Sequence, residues 1–270
     1  MASSARSTLT KGCAGALLAA LYIFLYAPIV YIIYTSFNID TVWPFPPKWT
    51  LGAYTALAGS RTYGEALWNS ILLGLGSAFL CTFFATLGSI SLLKYRSRWS
   101  GFIALIYLTP LFIADLLVGI SSLLFNRQVL NLPGNVVSAM IANAVHGTSF
   151  AFLIMIAQLA RYDWRLDDAA MVFGAGPWRC FWEVTLPNIW PAMLGAFVIS
   201  FILAFNNLEI SFYTLGAIPT LPTIAWGSLR FGIGPELLAL AALVNGAVLA
   251  AFTIMYVLMR YRIVSFGHRE

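Results

Sequence analysis

The chain has 270 residues, of which 60% are hydrophobic and 9% are charged, and its mean hydropathy is +0.84. A soluble domain of this length cannot bury so large an apolar fraction in one core, so the composition excludes a water-soluble protein and indicates an integral membrane protein. The net charge of +5 does not indicate nucleic-acid binding, because the basic residues are scattered at the ends of apolar segments.

Six apolar segments are long enough to cross a bilayer as helices, since a hydrocarbon core of about 30 Å needs about 20 residues. These segments are far longer than barrel strands, which have about 9–11 alternating residues. We therefore predict an all-α fold, a polytopic membrane bundle of six transmembrane helices in one domain, 1–270. In chain order the predicted spans cover about 13–36, 67–93, 102–125, 136–159, 190–215 and 238–260.

The distribution of Lys and Arg between the connecting segments predicts the orientation, because these residues accumulate on the cytoplasmic side. With both termini cytoplasmic, four basic residues lie outside: Lys48, Arg61, Arg127 and Arg230. The other eleven lie inside: Arg6, Lys11, Lys94, Arg96, Arg98, Arg161, Arg165, Arg179, Arg260, Arg262 and Arg269. This asymmetry also places the segment at about 161–188 in the cytoplasm.

The segment at about 161–188 combines charge, glycine and proline between two apolar spans. Asp167 and Asp168 suit the N-terminal turn of a short helix, where the helix dipole favours negative charge. Gly174 is placed to end that helix as a C-cap, and Pro177 to begin a second one. The pattern predicts a helix, a tight glycine turn and another helix.

The second predicted helix carries Arg179 and Glu183, which are four residues apart and share one face. Pro187 and Pro191 are expected to end it before the next span. Two interpretations of the whole segment remain open. It is either an amphipathic interfacial connector or a shaped knob that contacts another protein.

The residues Asp168-Ala169-Ala170, Gly174, Val184 and Leu186-Pro187 follow one another at a characteristic spacing. This spacing resembles the cytoplasmic signature loop of permease subunits in ATP-binding-cassette (ABC) importers of the first structural type. In that family the usual residues are Glu-Ala-Ala and Ile, where this chain has Asp and Val. The resemblance implies the type I importer permease fold, with a helix that docks on an ATPase subunit. The implied coupling residues are Asp168, Ala169, Ala170, Gly174, Leu186 and Pro187.

Three further stretches are similar, in the same order, to segments of polyamine-type permeases of this family: LWNSILLG, TPLFIADLLVGISSLLF and LPTIAWGSLRFGIGPELLALAALV. The resemblance implies a bacterial inner-membrane protein that pairs with a second permease subunit, as a heterodimer, within membrane lipid. It also implies two ATPase subunits and a periplasmic solute-binding protein. ATP and Mg would be held by the ATPase subunits, so this chain is expected to hold no cofactor or metal and to bind no nucleic acid.

Three ionisable residues lie inside predicted spans: Asp115, His146 and Glu209. Such residues are costly in a bilayer and commonly face the bundle interior or a water-filled path. We interpret them as candidates for the translocation path. The alternative for each is a buried contact between helices. Asp115 and His146 are both expected near mid-membrane and could pair.

Asn206 and Asn207 stand where polyamine permeases commonly have two acidic residues after Ser200-Phe201. An Asn amide forms hydrogen bonds but cannot neutralise an ammonium group, so an elongated dication is disfavoured as the solute. We add both to the candidate path, with Glu209 two positions later. An amino acid derivative or an aminophosphonate is the alternative solute. Ala114 replaces a proline common in relatives, so a straighter third span is expected.

Other classes of membrane protein fit the sequence less well. A secondary transporter would need more spans or a clear repeat, and it has no use for a glycine-turned knob. Neither the histidines nor the three cysteines have the spacing of a metal site, and no nucleophile motif is present. The phosphate-binding glycine loop of an ATPase is absent from the sequence. We therefore expect a non-enzymatic permease subunit that forms half of a path for a polyamine or related small solute.

The orientation can be tested by labelling single cysteines in a background without native thiols. A cysteine at Ser60 should react with an impermeant thiol reagent in intact cells, whereas a cysteine at Ser97 should react only after lysis. The reverse pattern would contradict the orientation derived from the basic residues.

Overall fold

A computed structural model describes residues 2–39, 45–95, 98–232 and 234–260 of the chain. Within these residues every regular element is helical, which confirms the predicted fold class, and one isolated antiparallel bridge joins Asn38 and Trp49. The α-helices are α1 Ala2–Ser36, α2 Gly52–Gly59, α3 Arg61–Lys94, α4 Ser100–Leu108, α5 Asp115–Gln128, α6 Val136–Leu159, α7 Arg165–Val172, α8 Pro177–Cys180, α9 Leu186–Asn206, α10 Glu209–Thr214, α11 Leu221–Phe231 and α12 Pro235–Arg260. A 3₁₀ turn covers Thr109–Phe112, and a π-helical segment covers Phe181–Thr185.

Two compact units make up the chain, and the first combines Met1–Ser60 with Ser228–Glu270. In this unit α12 packs against α1 and α2. The end of α1 is fixed by Asn38, whose side chain donates to the Tyr34 carbonyl and accepts from the Lys48 amide. Between Leu17 and Tyr31 most of the large apolar side chains of α1 are exposed, as expected of a helix that faces lipid or another subunit.

The second unit, Arg61–Gly227, has its core between α3, α6 and α9. The buried positions of these helices are mostly small: Ala78, Cys81, Ala85, Ala139, Ala142, Ala144, Ala151, Ala196 and Ala204. Small side chains allow helix backbones to approach closely, which drives helix association where the surroundings are as apolar as the side chains. A Cβ added at Gly88 would lie 2.4 Å from the Tyr107 ring, and one at Gly147 would lie 2.7 Å from the Cys81 Sγ.

Four helices of the described residues are long and apolar enough to cross a membrane, or five if a bent pair is counted as one span. The four are Leu17–Ser36, Arg61–Lys94, Val136–Leu159 and Pro177–Asn206. The predicted spans at 67–93 and 136–159 lie within these helices, and the predicted span at 13–36 overlaps Leu17–Ser36. The predicted last span lies in α12, of which Pro235–Ala250 is a shorter apolar helix. The count of six spans therefore stays a prediction.

The predicted third span, 102–125, is wrong as a straight helix. Ser100–Phe112 and Asp115–Gln128 meet at an angle of 108°. Ala114 adopts an extended conformation with ψ at 138°, so the absence of a proline there does not keep the helix straight. The predicted fifth span is also interrupted, because α9 ends at Asn206 and α10 begins at Glu209.

The expectation that Pro187 and Pro191 end the second helix of the signature loop is also wrong. A continuous helical path covers Pro177–Asn206 and includes both prolines. Each proline lacks the N–H that would bond to the carbonyl four residues earlier. Pro187 lies in the first turn of α9, and the π-helical turn that precedes it is the kind of local adjustment that accommodates a missing bond.

The close contact of α3 and α6 at Gly147 can be tested by thermal unfolding of the purified protein in detergent. Gly147→Ala should lower the stability by about 1–3 kcal/mol, because the added methyl overpacks against the Cys81 Sγ. Adding Cys81→Ala should restore most of the loss. Gly195→Ala on α9 is the matched control, since its Cβ would meet nothing within 4 Å. A double variant as unstable as Gly147→Ala would contradict this packing.

Candidate functional site

The signature segment, residues 161–188, begins with the eight-residue helix α7, which ends in a tight turn. Gly174 has φ at +89°, its amide donates to the Met171 carbonyl, and the Ala175 amide donates to the Ala170 carbonyl. These two bonds form a Schellman motif, in which a left-handed residue closes the helix. The predicted helix, glycine turn and second helix are confirmed as structure.

An apolar surface surrounds this turn. Val172 is 85% exposed and Phe173 is 91% exposed, and Trp178 lies exposed at the start of the following helix. Asp168 and Ala169 are exposed as well. Large apolar side chains this exposed outside the long spans are typical of a surface that binds a partner protein. Leu186 is half-buried and Pro187 is exposed, both at the start of α9.

Asp167, the neighbour of Asp168, has the opposite environment, which the sequence did not reveal. Its side chain is 1% exposed, and its Oδ2 lies 2.7 Å from the Lys94 Nζ. The Tyr162 hydroxyl donates to Oδ1 at 2.7 Å, and the Thr185 hydroxyl donates to Oδ1 at 3.1 Å. Lys94 is far away in sequence, so no spacing rule links the pair.

The electrostatics of this group favour a charged Asp167. Burial opposes ionisation, but hydrogen bonds from Lys94 and Tyr162 outweigh it and hold the pKa of the Asp167 carboxyl below its ordinary value. Burial and the bond to Asp167 raise the pKa of Tyr162, which stays a hydrogen-bond donor. The carboxylate is therefore ionised and fully engaged within the protein.

The second candidate site is an acid cluster of Asp115, His146 and Asn207. The Asn207 amide donates to Asp115 Oδ2 at 2.8 Å. The His146 Nδ1 lies 3.2 Å from Asp115 Oδ1, although this contact is not aligned as a hydrogen bond. Asp115 and His146, whose pairing the sequence left open, thus lie in contact in the structure.

Two helix breaks bring the cluster together. Asp115 begins α5 directly after the sharp bend, where the helix dipole favours its negative charge. Asn207 lies between α9 and α10, and its side chain caps α10 by accepting from the Ile210 amide at 2.8 Å. A Cβ added at Gly119 of α5 would lie 3.1 Å from the Ile210 Cα, so a larger residue there would push α5 and α10 slightly apart.

The other two candidate path residues lie outside the cluster. Asn206 is exposed and its amide donates to the Ile202 carbonyl of its own helix. Glu209 is exposed in the first turn of α10, and its carboxylate has no hydrogen-bond or ion-pair partner among the described residues. Asp115, His146 and Asn207 therefore contact one another, whereas the Glu209 carboxylate is exposed and lies outside this cluster.

The chemistry of the acid cluster is that of a single carboxylate with one imidazole and one amide. The Asp115 side chain is 31% exposed and its carboxylate has further acceptor sites beyond the contacts from His146 and Asn207, so an ammonium group can bind it. Within the described residues no group of three or more His, Cys, Asp or Glu side chains could hold a metal ion.

Comparison with known proteins identifies the family. Residues 85–263 match the model of the "Binding-protein-dependent transport system inner membrane component" family, which is more than half of the chain. The chain belongs to this family. It is a multi-pass protein of the inner membrane and a permease subunit of an ABC importer, a transport component and not an ATPase.

Curated relatives cover most of the chain. It is 28% identical to the putrescine transport system permease protein PotI of Escherichia coli (strain K12), over 88% of each protein. It is 26% identical to the spermidine/putrescine permease protein PotC of the same organism, over 85% of this chain and 87% of that protein. A putative 2-aminoethylphosphonate permease protein, PhnV of Salmonella typhimurium, is 26% identical over 83% of this chain and 82% of that protein.

Solved structures share the fold at low sequence identity. A chain of a bacterial ABC transporter that imports the polysaccharide alginate has a TM-score of 0.71 and 17% identity, covering 95% of this chain and 98% of that chain. A chain of the inward-facing MetNI methionine ABC transporter has a TM-score of 0.58 and 15% identity, covering 76% of this chain and 96% of that chain. The fold is thus that of ABC importer permeases.

The turn at Gly174 can be tested with a pair of matched glycine variants. Gly174→Val should disturb the end of α7, because a β-branched residue at positive φ costs about 1–2 kcal/mol or more. Gly176→Val should be tolerated, since Gly176 has an extended backbone with φ at −66°. A Cβ would meet nothing within 4 Å at either position, so the two variants differ in backbone conformation alone.

The measurement is the rate of limited proteolysis at the signature segment in detergent-solubilised protein. Gly174→Val should be cleaved faster than the wild type, and Gly176→Val at the wild-type rate. Equal rates for all three would contradict the assigned role of the left-handed turn.

Proposed function

We propose that this permease forms half of a pathway for a small amine-bearing solute, driven by ATP hydrolysis in partner subunits. A periplasmic solute-binding protein delivers the solute, and a second, homologous permease supplies the other half as a heterodimer. Both chain termini lie in the cytoplasm, as does the signature segment. ATP and Mg are held by two ATPase subunits, and this chain holds no cofactor of its own.

The observation that carries the coupling role is the exposed apolar surface of Val172 and Phe173 beside a fixed glycine turn. A helix that presents such side chains to water has free energy to gain by inserting them into a cleft on a partner. Asp168 and Ala169 lie on the same short helix, and a small Ala side chain permits close approach. Gly174 then turns the chain away, so that α7 protrudes as a separate docking helix.

The acid cluster supports an amine as the solute, because Asp115 offers one negative charge inside an apolar bundle. The names of three relatives support the same class, since putrescine, spermidine and 2-aminoethylphosphonate each carry a primary amine. Asn206 and Asn207 provide no charge of their own, which favours a solute with one ammonium group at this site over a long dication. An aminophosphonate or an amino acid derivative therefore remains the alternative to a polyamine.

Coupling can be tested in the complex reconstituted into proteoliposomes, with ATP turnover and accumulation of radiolabelled putrescine or 2-aminoethylphosphonate measured together. Asp168→Lys places a positive charge at a helix N-terminus that favours negative charge, and on the proposed docking surface. We expect normal membrane insertion, with loss of receptor-stimulated ATP hydrolysis or hydrolysis without uptake. Arg165→Lys, which keeps its charge on the same helix, is the control. Wild-type coupling in Asp168→Lys would contradict the docking role.

The role of Asp115 can be tested by uptake of the same two solutes. Asp115→Asn keeps the shape but removes the charge, and it should lower uptake about tenfold or more, because a hydrogen bond to a charged group is worth about 1.5–3 kcal/mol. Glu65→Gln removes an exposed carboxylate paired with Arg61 on α3 and should leave uptake unchanged. Equal uptake by both variants over a concentration series would reduce Asp115 to a structural contact.

Glu209 provides an independent test of charge on the path. If its exposed carboxylate attracts an ammonium group, Glu209→Gln should lower uptake while receptor affinity and assembly of the complex stay unchanged. The measurement is uptake by intact cells at several salt concentrations. Salt should screen the attraction between the carboxylate and the ammonium group, and should therefore reduce the difference in uptake from the wild type. Wild-type uptake at low salt would remove Glu209 from the path.

A further inference from the structure

The docking helix α7 is attached to its own unit through a buried carboxylate. It has only eight residues, and a helix this short is not stable by itself in water. Its most exposed apolar side chain, Val172, points away from the bundle together with the adjacent Phe173. Asp167 is the one residue of α7 that is fully buried. A carboxylate therefore occupies the position that an apolar anchor would fill in an ordinary surface helix.

The contacts of Asp167 join three separate parts of the unit. Its carboxylate contacts Lys94, the last residue of α3, and Tyr162, in the turn before α7. It also contacts Thr185, at the end of the π-helical segment that leads into α9. The backbone carbonyl of the same residue accepts from the Cys180 thiol at 3.7 Å.

Lys94 binds the start of α7 in a second way. Its Nζ lies 5.4 Å from the centre of the Trp164 ring, directly before the first residue of α7. A cation over an indole face is attracted by the ring, and Trp164 also packs against the core of α3, α6 and α9. Lys94 therefore contacts Asp167 in the docking helix and Trp164 directly before that helix with one ammonium group.

Buried ion pairs contribute little net stability compared with apolar residues, because both charges lose their hydration. What they do provide is a fixed geometry. A charged pair whose hydrogen bonds are all formed favours one arrangement of the two segments that it joins and penalises others. A sliding apolar contact would let α7 move over the end of α3. The contacts of Asp167 resist that movement.

We propose that the Lys94–Asp167 ion pair is the link that makes α3 move together with the docking helix α7. Asp167 and Lys94 are thus positioning residues for energy coupling, distinct from Asp168, which faces outward. The inference rests on the proposed function, in that α7 is taken as the helix that contacts the ATPase. When the ATPase displaces α7, the pair transmits the displacement to α3 and Thr185 transmits it toward α9.

The test measures the distance between spin labels on α7 and α3 in the reconstituted complex, without nucleotide and with trapped ATP. Labels are attached to cysteines replacing the exposed Leu166 on α7 and Ser91 on α3, neither of which belongs to the proposed docking surface. Cys13 and Cys81 are replaced by alanine, and Cys180, whose thiol donates to the Asp167 carbonyl, is replaced by serine. The distance should be the same in both states of the wild type, because the two helix ends move together. In Asp167→Asn the distribution of distances should be broader than in the wild type. Its mean should also shift when ATP is trapped, by more than the width of the wild-type distribution.

Three further variants make the result specific. Lys94→Met should behave as Asp167→Asn, whereas Lys94→Arg keeps the charge and should behave as the wild type. Glu65→Gln breaks an exposed pair at the opposite end of α3 and should have no effect. If Asp167→Asn does not assemble, the comparison of Lys94→Met with Lys94→Arg decides the question. A distance in Asp167→Asn or Lys94→Met that stays as narrow and constant as in the wild type would overturn the proposal, as would a wild-type distance that changes with ATP.

A separate variant distinguishes failure of this link from failure of the docking role. Phe173→Asp places a charge on the exposed docking surface and should release the ATPase subunits during purification. If the ATPase subunits stay bound in Phe173→Asp, the docking role itself fails. If they are released while the Asp167→Asn distances match the wild type, docking stands and the link is wrong.

Discussion

The structure depends on one constraint, that a backbone surrounded by apolar groups must satisfy its N–H and C=O groups within the protein. Helices meet it along their length, and every regular element of the described residues is helical. Breaks in the helices free backbone groups, and in this chain two breaks lie against each other. Asp115 follows one break and Asn207 fills the other, where its side chain caps α10 and contacts Asp115. Asn207, a residue of the candidate path, thus also satisfies a backbone group at one of the helix breaks.

Much of the fold could be predicted from the sequence, because apolar length and glycine chemistry act locally. The span at 136–159 coincides with α6, and the left-handed turn at Gly174 lies where its spacing placed it. The bend before Asp115 was missed because the expectation rested on Ala114, whereas the local signal is Pro110, which lies in the 3₁₀ turn Thr109–Phe112 directly before the bend. Pro187 misled the prediction for a different reason, because the π-helical turn before it is a tertiary adjustment that propensity does not encode.

The residues of the candidate sites also divide into those that the sequence identified and those that only the structure revealed. The signature spacing pointed to the exposed residues Asp168 and Ala169, which are accessible to a partner, but it did not reveal Asp167, whose role is internal. Contacts such as Lys94 with Asp167, or Asp115 with Asn207, join positions far apart in the chain. Sequence reasoning can identify a costly intramembrane charge, because the cost is local. It cannot identify the group that compensates for this charge until the fold brings the two together.

The helical path Pro177–Asn206 connects the two candidate sites within one unit. Near one end, Thr185 donates to Asp167 of the signature segment, and directly beyond the other end Asn207 donates to Asp115. Helix α9, which makes up most of this path, has 21 residues and is therefore about 32 Å long. Pro191 removes one backbone hydrogen bond within this helix, so the path is continuous but is less stiff at that point than an uninterrupted helix. Under the proposed function, an ammonium group bound at Asp115 would contact the same carboxylate as Asn207, beside one end of the path whose other end contacts Asp167 through Thr185. The path then offers a continuous physical connection between the two candidate sites, which is what coupling between distant sites requires.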